Sequence, residues 1–274
     1  MTQIWKTYRI IRKYLLFVLT ALFAMSCEED VVLNLKQIEK KLVVEATITN
    51  EDPAVQVALS YSKGFYDSVN FQKITLANVE IITPDGEREQ LNLFQDDWFA
   101  SMKLRPVYGK PYTLKIEVDG YNFEVSTQLP HPVEISSVLM VENPFYGDGD
   151  SLNVFVNVED PKGEDNYFRL FVNHKGWDSI GEFYLVDDAL GKDGTITMPV
   201  YYKNFAVGDT VVVELRHLTK ELYNYYLGLS DNIGGSFNSI APGNPVSNMP
   251  DDVYGVFAGY SIDRDTVIVK PMAF

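Results

Sequence analysis

Alternation of apolar and polar residues, with a period of two, dominates the first half of the chain. The segments that show it are rich in β-branched residues and cover residues 42–49, 54–61, 79–82, 112–118 and 121–125. A period of two places every second side chain on the same face, so each segment is predicted to be a strand with one buried face. Turn residues lie between them, at Pro84-Asp85-Gly86 and at Asp119-Gly120, and the second pair predicts a hairpin.

The regular spacing of these turns indicates antiparallel neighbours. We therefore predict a mainly β protein in which residues 41–130 form an antiparallel sandwich, Ig-like or transthyretin-like, rather than a parallel sheet. Leu129-Pro130-His131-Pro132 marks the predicted domain boundary, because paired prolines favour an extended connection. Residues 131–274 are then a second β-rich domain, with strands predicted at 135–141, 152–158, 167–173, 181–186 and 210–215.

One segment of the second domain has helical rather than strand periodicity. Its apolar residues recur at steps of three and four, at Leu218, Leu222, Tyr225, Tyr226 and Leu229. This spacing predicts one amphipathic helix near 219–230, with Thr219 as its N-cap. Tyr225 and Tyr226 fall on the core-facing stripe, which leaves Tyr223 as the exposed ring and the better candidate for stacking on a sugar.

The amino terminus carries a basic cluster followed by a short apolar run and the only cysteine of the chain. Four basic residues between positions 6 and 13 precede the apolar run at 15–25, and Ser26-Cys27 follows directly. The run has about half of the roughly 20 residues that a permanent membrane helix needs. We predict a lipoprotein signal peptide over residues 1–26, removed before Cys27, whose thiol then carries diacyl lipid such as palmitate.

Three acidic residues, Glu28, Glu29 and Asp30, directly follow Cys27. They resemble the export signal that sends Bacteroidetes lipoproteins to the cell surface. The same residues also suit a solvated tether over residues 27–40, in which case the protein faces the periplasm. Both leaflets of the outer membrane stay open at this stage.

The mature chain is strongly acidic. Removal of residues 1–26 leaves 19 basic and 38 acidic residues, a formal charge of −19. This charge argues against nucleic acid as a partner. An anionic membrane would repel such a body, so membrane attachment depends on the acyl chains at Cys27.

Several motifs occur in a characteristic order after the acidic residues. They are Lys41-Leu42-Val43-Val44-Glu45-Ala46-Thr47-Ile48, Ala77-Asn78-Val79-Glu80-Ile81, Asp160-Pro161, Asn166-Tyr167-Phe168-Arg169, residues 218–226, Gly243-Asn244-Pro245 and residues 253–260. Together they resemble the Bacteroidetes lipoprotein family known as domain of unknown function 4249. The chain departs from that pattern at Asp97-Trp98-Phe99, where a Gly usually precedes the aromatic residue. Members are commonly encoded beside TonB-dependent outer-membrane receptors, so the resemblance implies a role in capture or uptake.

A search for catalytic chemistry finds no recognisable motif. The three histidines, His131, His174 and His217, lack the spacing of a zinc-binding helix, and no nucleophile elbow, P-loop or dinucleotide fingerprint is present. Adjacent carboxylates such as Asp187-Asp188 point apart on strands and turns, so they do not predict a glycosidase pair. We predict no catalytic residue, no metal site and no cofactor.

Two function classes follow from these observations. The first is an outer-membrane, surface-exposed or periplasmic, non-catalytic accessory of a TonB-dependent uptake system, which binds its substrate or the receptor through loops such as 145–150 and 233–250. The second is a structural or adhesive envelope module without a small ligand. Neighbouring genes would separate the two, since an adjacent receptor gene favours uptake.

A tripeptide of Asp, a hydroxyl residue and an aliphatic residue recurs along the chain. Its hydroxyl residues are Ser68, Ser151, Ser179, Thr210 and Thr266. The pattern resembles the acceptor site for O-linked glycans on exported Bacteroidetes proteins. A turn that leads into a strand explains three of the sites equally well, at Asp150, Asp209 and Asp265. Ser68 and Ser179 are therefore the better predicted glycan sites.

Overall fold

The structure is a computed structural model. It describes Arg12 and residues 39–64, 71–95, 97–142, 152–161, 163, 165–174, 183–192, 194–233 and 243–270. Residues 1–39 and 40–274 are two separate units, and the fold below is that of the second. No helix in these ranges has the length and apolar character needed to cross a membrane.

Strands account for most of the described residues. In the N-terminal half they are β1 (Leu42–Thr49), β2 (Val55–Tyr61), β3 (Asn78–Ile82), β4 (Arg88–Gln90), β5 (Asn92–Phe94), β6 (Trp98–Ala100), β7 (Pro111–Val118) and β8 (Tyr121–Gln128). In the C-terminal half they are β9 (Ile135–Glu142), β10 (Leu152–Glu159), β11 (Tyr167–His174), β12 (Phe183–Asp187), β13 (Gly191–Lys192), β14 (Thr195–Phe205), β15 (Thr210–Leu218) and β16 (Val253–Ile268). Helix α1 (Lys220–Ile233) lies between β15 and β16.

The strands form one large sheet and two small ones. The large sheet has the order β12-β11-β15-β16-β1-β2-β6-β5, and the small sheets have the orders β4-β3-β7-β8 and β13-β14-β10-β9. Within the described strands, β1 and β16 are the one parallel pair, with Leu42 opposite Val253 and Thr49 opposite Tyr260. All other neighbours are antiparallel.

Each small sheet packs on one half of the large sheet and encloses a hydrophobic core. Strict alternation along β1 and β7 places residues such as Val44 and Leu114 in the first core, where both are fully buried. The same alternation along β11 and β15 places Phe168 and Leu215 in the second core. Burial of such side chains contributes about 1.5–3 kcal/mol each, which drives the pairing of the layers.

The segment between β8 and β9 crosses β16 between the two cores. The carbonyl of His131 accepts hydrogen bonds from Nδ1 of His217 at 2.7 Å and from the Ser261 hydroxyl at 3.2 Å. The backbone N–H of Ile135 donates to the Asp263 carboxylate at 2.7 Å. The predicted boundary near 130 falls in this segment. However, β16, which follows it in sequence, pairs with β1, so the two halves share one sheet, and the division into two domains stays a prediction.

The mainly β fold predicted from the sequence is confirmed, together with one helix in its second half. Six strands were not predicted from the sequence, namely β4, β5, β6, β13, β14 and β16, and the two long ones have a physical reason. β14 contains Pro199, a residue that argues against a central strand, but at this position β14 has a described neighbour, β10, on one side only, where a proline is tolerated. β16 continues through a polar segment at 261–266, where alternation is weak.

Two details predicted for the helix are wrong. The Thr219 hydroxyl is buried without a hydrogen-bond partner among the described residues, so Thr219 is not a side-chain cap. Tyr223 is only 9% exposed rather than being the exposed ring. Its ring centroid lies 4.8 Å from that of Tyr167, and its hydroxyl donates to Asp187 at 3.3 Å. The sheet surface under α1 is wide enough to bury this third tyrosine, which a one-stripe helix pattern does not reveal.

Gly259 provides a test of this packing. A Cβ at Gly259 would overlap the carbonyl oxygen of Gln128 in the crossing segment. We expect Gly259→Ala to lower the free energy of unfolding by about 3 kcal/mol, the upper end of overpacking effects. Gly243→Ala is the control, because nothing lies within 4 Å of its added Cβ, and its change is expected to stay within about 0.5 kcal/mol. Urea denaturation of the purified proteins measures both, and equal midpoints would contradict the close approach.

Candidate functional site

The face of the large sheet opposite the two small sheets is divided between helix α1 and an open groove. Residues at alternate positions of β1, β2 and β6 point toward this outer face. Glu45 lies opposite Ala58 on the neighbouring strand, and Val57 lies opposite Phe99. One step further along β2 and β6 brings Ala58 beside Trp98. Glu45, Ala58 and Trp98 therefore form a row across three strands.

The groove over this row, here called the outer-face groove, has a volume of about 540 Å³. Its floor includes Ala58 and its lining includes Glu45, Phe71, Lys73, Asp97 and Trp98. Trp98 and Asp97 belong to the segment in which the sequence departs from the family pattern. The groove is therefore large enough for a small organic ligand and combines aromatic with charged side chains.

Two of the lining groups are already paired within the chain. The ammonium of Lys63 lies 4.8 Å from the ring centroid of Phe71, and the ammonium of Lys73 forms an ion pair with Asp97. Both pairs are exposed at the rim, where they contribute little to stability. Among the described lining residues, one carboxylate and one aromatic ring then have no charged partner.

These two groups are Glu45 and Trp98. Among the described residues, none forms an ion pair or hydrogen bond with the exposed Glu45 carboxylate. The half-buried Trp98 ring contacts Phe94 at 6.0 Å, and no cation lies over it in the described ranges. Burial, reinforced by the negative charge of Glu45, raises the pKa of Tyr225 on α1. The carboxylate is thus near the helix as well as near the groove floor.

Stacked arginines cover the other part of the outer face. Arg169 lies over Phe171 and Tyr226, with 4.6 and 4.2 Å between the guanidinium carbon and the ring centroids. Arg216 lies over Phe171 and Tyr260 at 4.5 and 4.8 Å. Burial lowers the pKa of Arg169. These stacks fill the surface beside α1 with groups that contact one another.

An ion network continues from this stack toward the β1–β2 turn. The Glu214 carboxylate accepts hydrogen bonds from Nε of Arg216 at 2.6 Å and from Nε of Arg264 at 2.7 Å, and Arg264 also binds Glu51 through two nitrogens. Although burial opposes ionisation, the two arginines hold the pKa of Glu214 below its usual value. These charges are compensated by one another rather than available to a ligand.

A second, larger groove of about 760 Å³ lies beside β4 and β7. Its charged residues include Arg88, which pairs with Glu80 at 3.2 Å, and Arg105, which pairs with Asp52 at 2.8 Å. Its aromatic residue, Tyr112, is 2% exposed. This groove offers no exposed aromatic face in the described part of the chain, so the outer-face groove is the stronger candidate.

The Asp-Pro and Asn-Tyr motifs that carry the family resemblance form a buried hydrogen-bonded junction. The Asn166 side chain donates to Asp160 at 3.2 Å and to the Pro161 carbonyl at 3.1 Å. The Asn166 carbonyl accepts the N–H of Asp188 at 3.1 Å. Asn166 is 1% exposed, so the motif connects the β10–β11 loop to the end of β12 rather than facing solvent.

This junction predicts a stability effect. We expect Asn166→Ala to lower the free energy of unfolding by about 1–3 kcal/mol, because the buried Asn166 amide loses its hydrogen bonds to the half-buried Asp160 and to the Pro161 carbonyl. Asn173→Ala on the same strand is the control, since Asn173 is exposed and its change is expected to stay within about 0.5 kcal/mol. Urea denaturation compares the two variants. A midpoint for Asn166→Ala that equals the control would show that the junction is not needed.

Most residues predicted as the lipidation site, the export signal or glycan sites lie outside the described residues. They are Cys27, Glu28, Glu29, Asp30, Ser68, Ser151 and Ser179. Thr210 begins β15, and the preceding Asp209 accepts the N–H of Ala206 at 2.8 Å, in agreement with a turn. Thr266 is exposed inside β16, so the expectation that Asp265 leads into a strand is wrong. The two binding loops proposed at 145–150 and 233–250 are described only at residues 233 and 243–250.

The sequence did not single out Glu45 or the outer-face groove. Glu45 occurs in a strand motif as an ordinary exposed residue, and Trp98 was noted only as a departure from the family pattern. Alternation along β1 could have shown that Glu45 faces away from the core, but not which residues stand beside it. No group of three or more His, Cys, Asp or Glu side chains with metal-binding geometry occurs in the described ranges.

The fold and the groove together define a sandwich-based, mainly β protein with an open cleft on its outer face. Residues 28–266 match the model of the family described as Domain of unknown function (DUF4249). The chain therefore belongs to this family, which confirms the domain of unknown function predicted from the sequence motifs, whereas its Bacteroidetes origin and its lipoprotein character stay predictions. No curated protein sequence matches the chain.

Two of the solved structures similar to the chain are a cytokine receptor complex and a tenascin segment. A chain of a cytokine receptor complex is 11% identical, with 85% of this chain and 97% of that chain covered, at a TM-score of 0.28. A segment of two fibronectin type-III domains from chicken tenascin is 10% identical, with 65% and 91% covered, at a TM-score of 0.21. Similarity at this level carries no information on function.

Proposed function

We propose that this protein is a non-catalytic binding module of the bacterial outer membrane, anchored by lipid at Cys27 and serving as an accessory of a TonB-dependent uptake system. The observation that carries the binding role is the outer-face groove, where Trp98 and Glu45 have no charged partner in the part of the chain that the structure describes. An open cleft with a half-buried aromatic ring and an exposed carboxylate is a common starting point for ligand capture.

The sequence supports the membrane part of the proposal. A basic cluster, a short apolar run and Ser26-Cys27 have the order of a lipoprotein signal peptide. Described strands begin at Leu42, so about 15 residues separate Cys27 from the folded unit, as a tether requires. Glu28, Glu29 and Asp30 support display on the cell surface. Glycans at Ser68 and Ser179 stay a prediction, as do Ser151, Thr210 and Thr266.

A structural or adhesive role is the second candidate, and one surface favours it. Strand β9 is the edge of its small sheet and exposes Leu139 and Val141 at 50% and 47%. Ile268 on β16 is 59% exposed, and together with Leu139 it lines a third groove beside β9. An exposed apolar strip on an edge strand suits contact with another protein.

The lipid anchor can be tested directly. We expect Cys27→Ser to move the protein from the outer-membrane pellet to the soluble fraction, because the acidic body has no other predicted affinity for lipid. Fractionation after a salt wash measures this, and radiolabelled palmitate should enter the wild type only. A Ser variant that still sediments with the outer membrane would show that something other than lipid holds the protein.

The groove can be tested by filling its floor. Ala58→Trp places a large side chain between Glu45 and Trp98 without touching either core, so we expect the fold to persist and ligand occupancy to fall at least about tenfold. Native mass spectrometry of protein purified from its own host measures the bound ligand.

Asn122→Trp on β8 is the matched control, because it adds the same bulk at an exposed strand position outside the groove. Equal occupancy in wild type, Ala58→Trp and Asn122→Trp would remove the groove as the binding site.

A further inference from the structure

Among the described residues, the outer-face groove has one carboxylate without an ionic partner, Glu45, and one half-buried aromatic ring without a cation over it, Trp98. We propose that it binds an alkylated ammonium group, held over the Trp98 ring beside the Glu45 carboxylate. The inference rests on the proposed function, since it names the ligand class of the same groove.

Two groups of the groove already have a cationic partner within the chain. Phe71 has the ammonium of Lys63 over its ring, and Asp97 has the ammonium of Lys73. Lysine ammonium groups thus already bind one aromatic ring and one carboxylate of this groove. Glu45 is a second carboxylate and Trp98 a second aromatic ring in this groove. No cation of the described residues lies beside either of them.

The spacing of the strands places Glu45 and Trp98 within reach of the same cation. Glu45 and Trp98 lie on strands β1 and β6, which flank β2, so their backbones are about 10 Å apart at the usual spacing of neighbouring strands. Ala58 between them is a small residue that leaves this space open. A cation binds an aromatic face within about 6 Å of the ring centroid, so one cation above Ala58 can contact the Trp98 ring and the Glu45 carboxylate together.

The charge of the chain and the apolar surface of the groove determine which class of ligand the groove favours. The carboxylates of Glu45 and Asp97 are matched in number by the ammonium groups of Lys73 and, at the rim, Lys63, but the whole chain has a formal charge of −15, so the surrounding field is negative. Such a field concentrates cations rather than anions at the groove. The half-buried Val43 and Ala58 add apolar surface to the lining, which favours an alkylated ammonium over a primary ammonium, because the latter is strongly hydrated.

The decisive experiment compares two probes of the same shape. Choline carries the trimethylammonium group, and 3,3-dimethylbutan-1-ol replaces its nitrogen with carbon and has no charge. Titration of each into the full-length protein by calorimetry should show binding of choline, with the neutral alcohol at least about tenfold weaker. Equal affinity of the two probes, or no binding of choline, would overturn the proposal.

Three variants assign the binding to the two groups. Glu45→Gln keeps the size but removes the charge, and Trp98→Leu keeps apolar surface but removes the ring. Each is expected to weaken choline about fivefold or more. Glu124→Gln is the control for net charge, because Glu124 is exposed on β8 outside the groove, and it should leave choline affinity unchanged. Equal affinity in Glu45→Gln and Glu124→Gln would contradict a role for Glu45.

Two further titrations identify the source of the ammonium. Nα-acetyl-lysine amide represents a protein side chain, and we expect it to bind more weakly than choline. Methyl glucoside represents a neutral sugar, and its binding in preference to choline would overturn the ammonium assignment. If choline fails to bind while Ala58→Trp still empties the native protein, the ligand class is wrong but the binding role stands. If choline does not bind and Ala58→Trp does not lower ligand occupancy, the proposed binding function is wrong as well.

Discussion

Strand β16 is the constraint on which the rest of the structure depends, because its 16 residues serve both hydrophobic cores. Its first part pairs with β1 and contributes Phe257 to the first core, and its last part pairs with β15 and contributes Val267 to the edge of the second. At Gly259 the crossing segment comes so close to the strand that no side chain fits. The two sandwiches are therefore joined through main-chain contact, which fixes their spacing more tightly than side-chain packing alone would.

This arrangement also determines where a ligand can approach. One face of the large sheet is covered by the two small sheets, and α1 packs on the opposite face over Val256, Ala258 and Tyr260. The helix packs mainly over β11, β12 and β16, with Tyr225 near Glu45 of β1 at its border, and the stacked arginines and their ion network fill the area beside it. In the described part of this surface, the outer-face groove is where an aromatic ring and a carboxylate stay without a charged partner. Sites of this kind combine a rigid sheet floor with adaptable rim residues.

The family motifs and the candidate site have different physical roles. Asn166, Gly259 and the Asp-Pro pair hold backbone segments together, so their roles follow from buried hydrogen bonds and close contacts. Glu45 and Trp98 contribute little to the core and face outward. A sequence motif is easiest to recognise where structure demands one residue type, so the motifs identified the family while the groove was not visible in them.

Alternation determined the mainly β fold, because a period of two can bury only one face of a strand. Helical periodicity located α1, and the order of Cys27 and its neighbours predicted lipid attachment, since both are local properties of consecutive residues. The sequence did not show β14, which contains Pro199, or the burial of Tyr223. Nor could it place Glu45 beside Trp98, 53 positions away in the chain. These features arise from strand order and register, which bring distant residues together and are decided only when the sheets pack against each other.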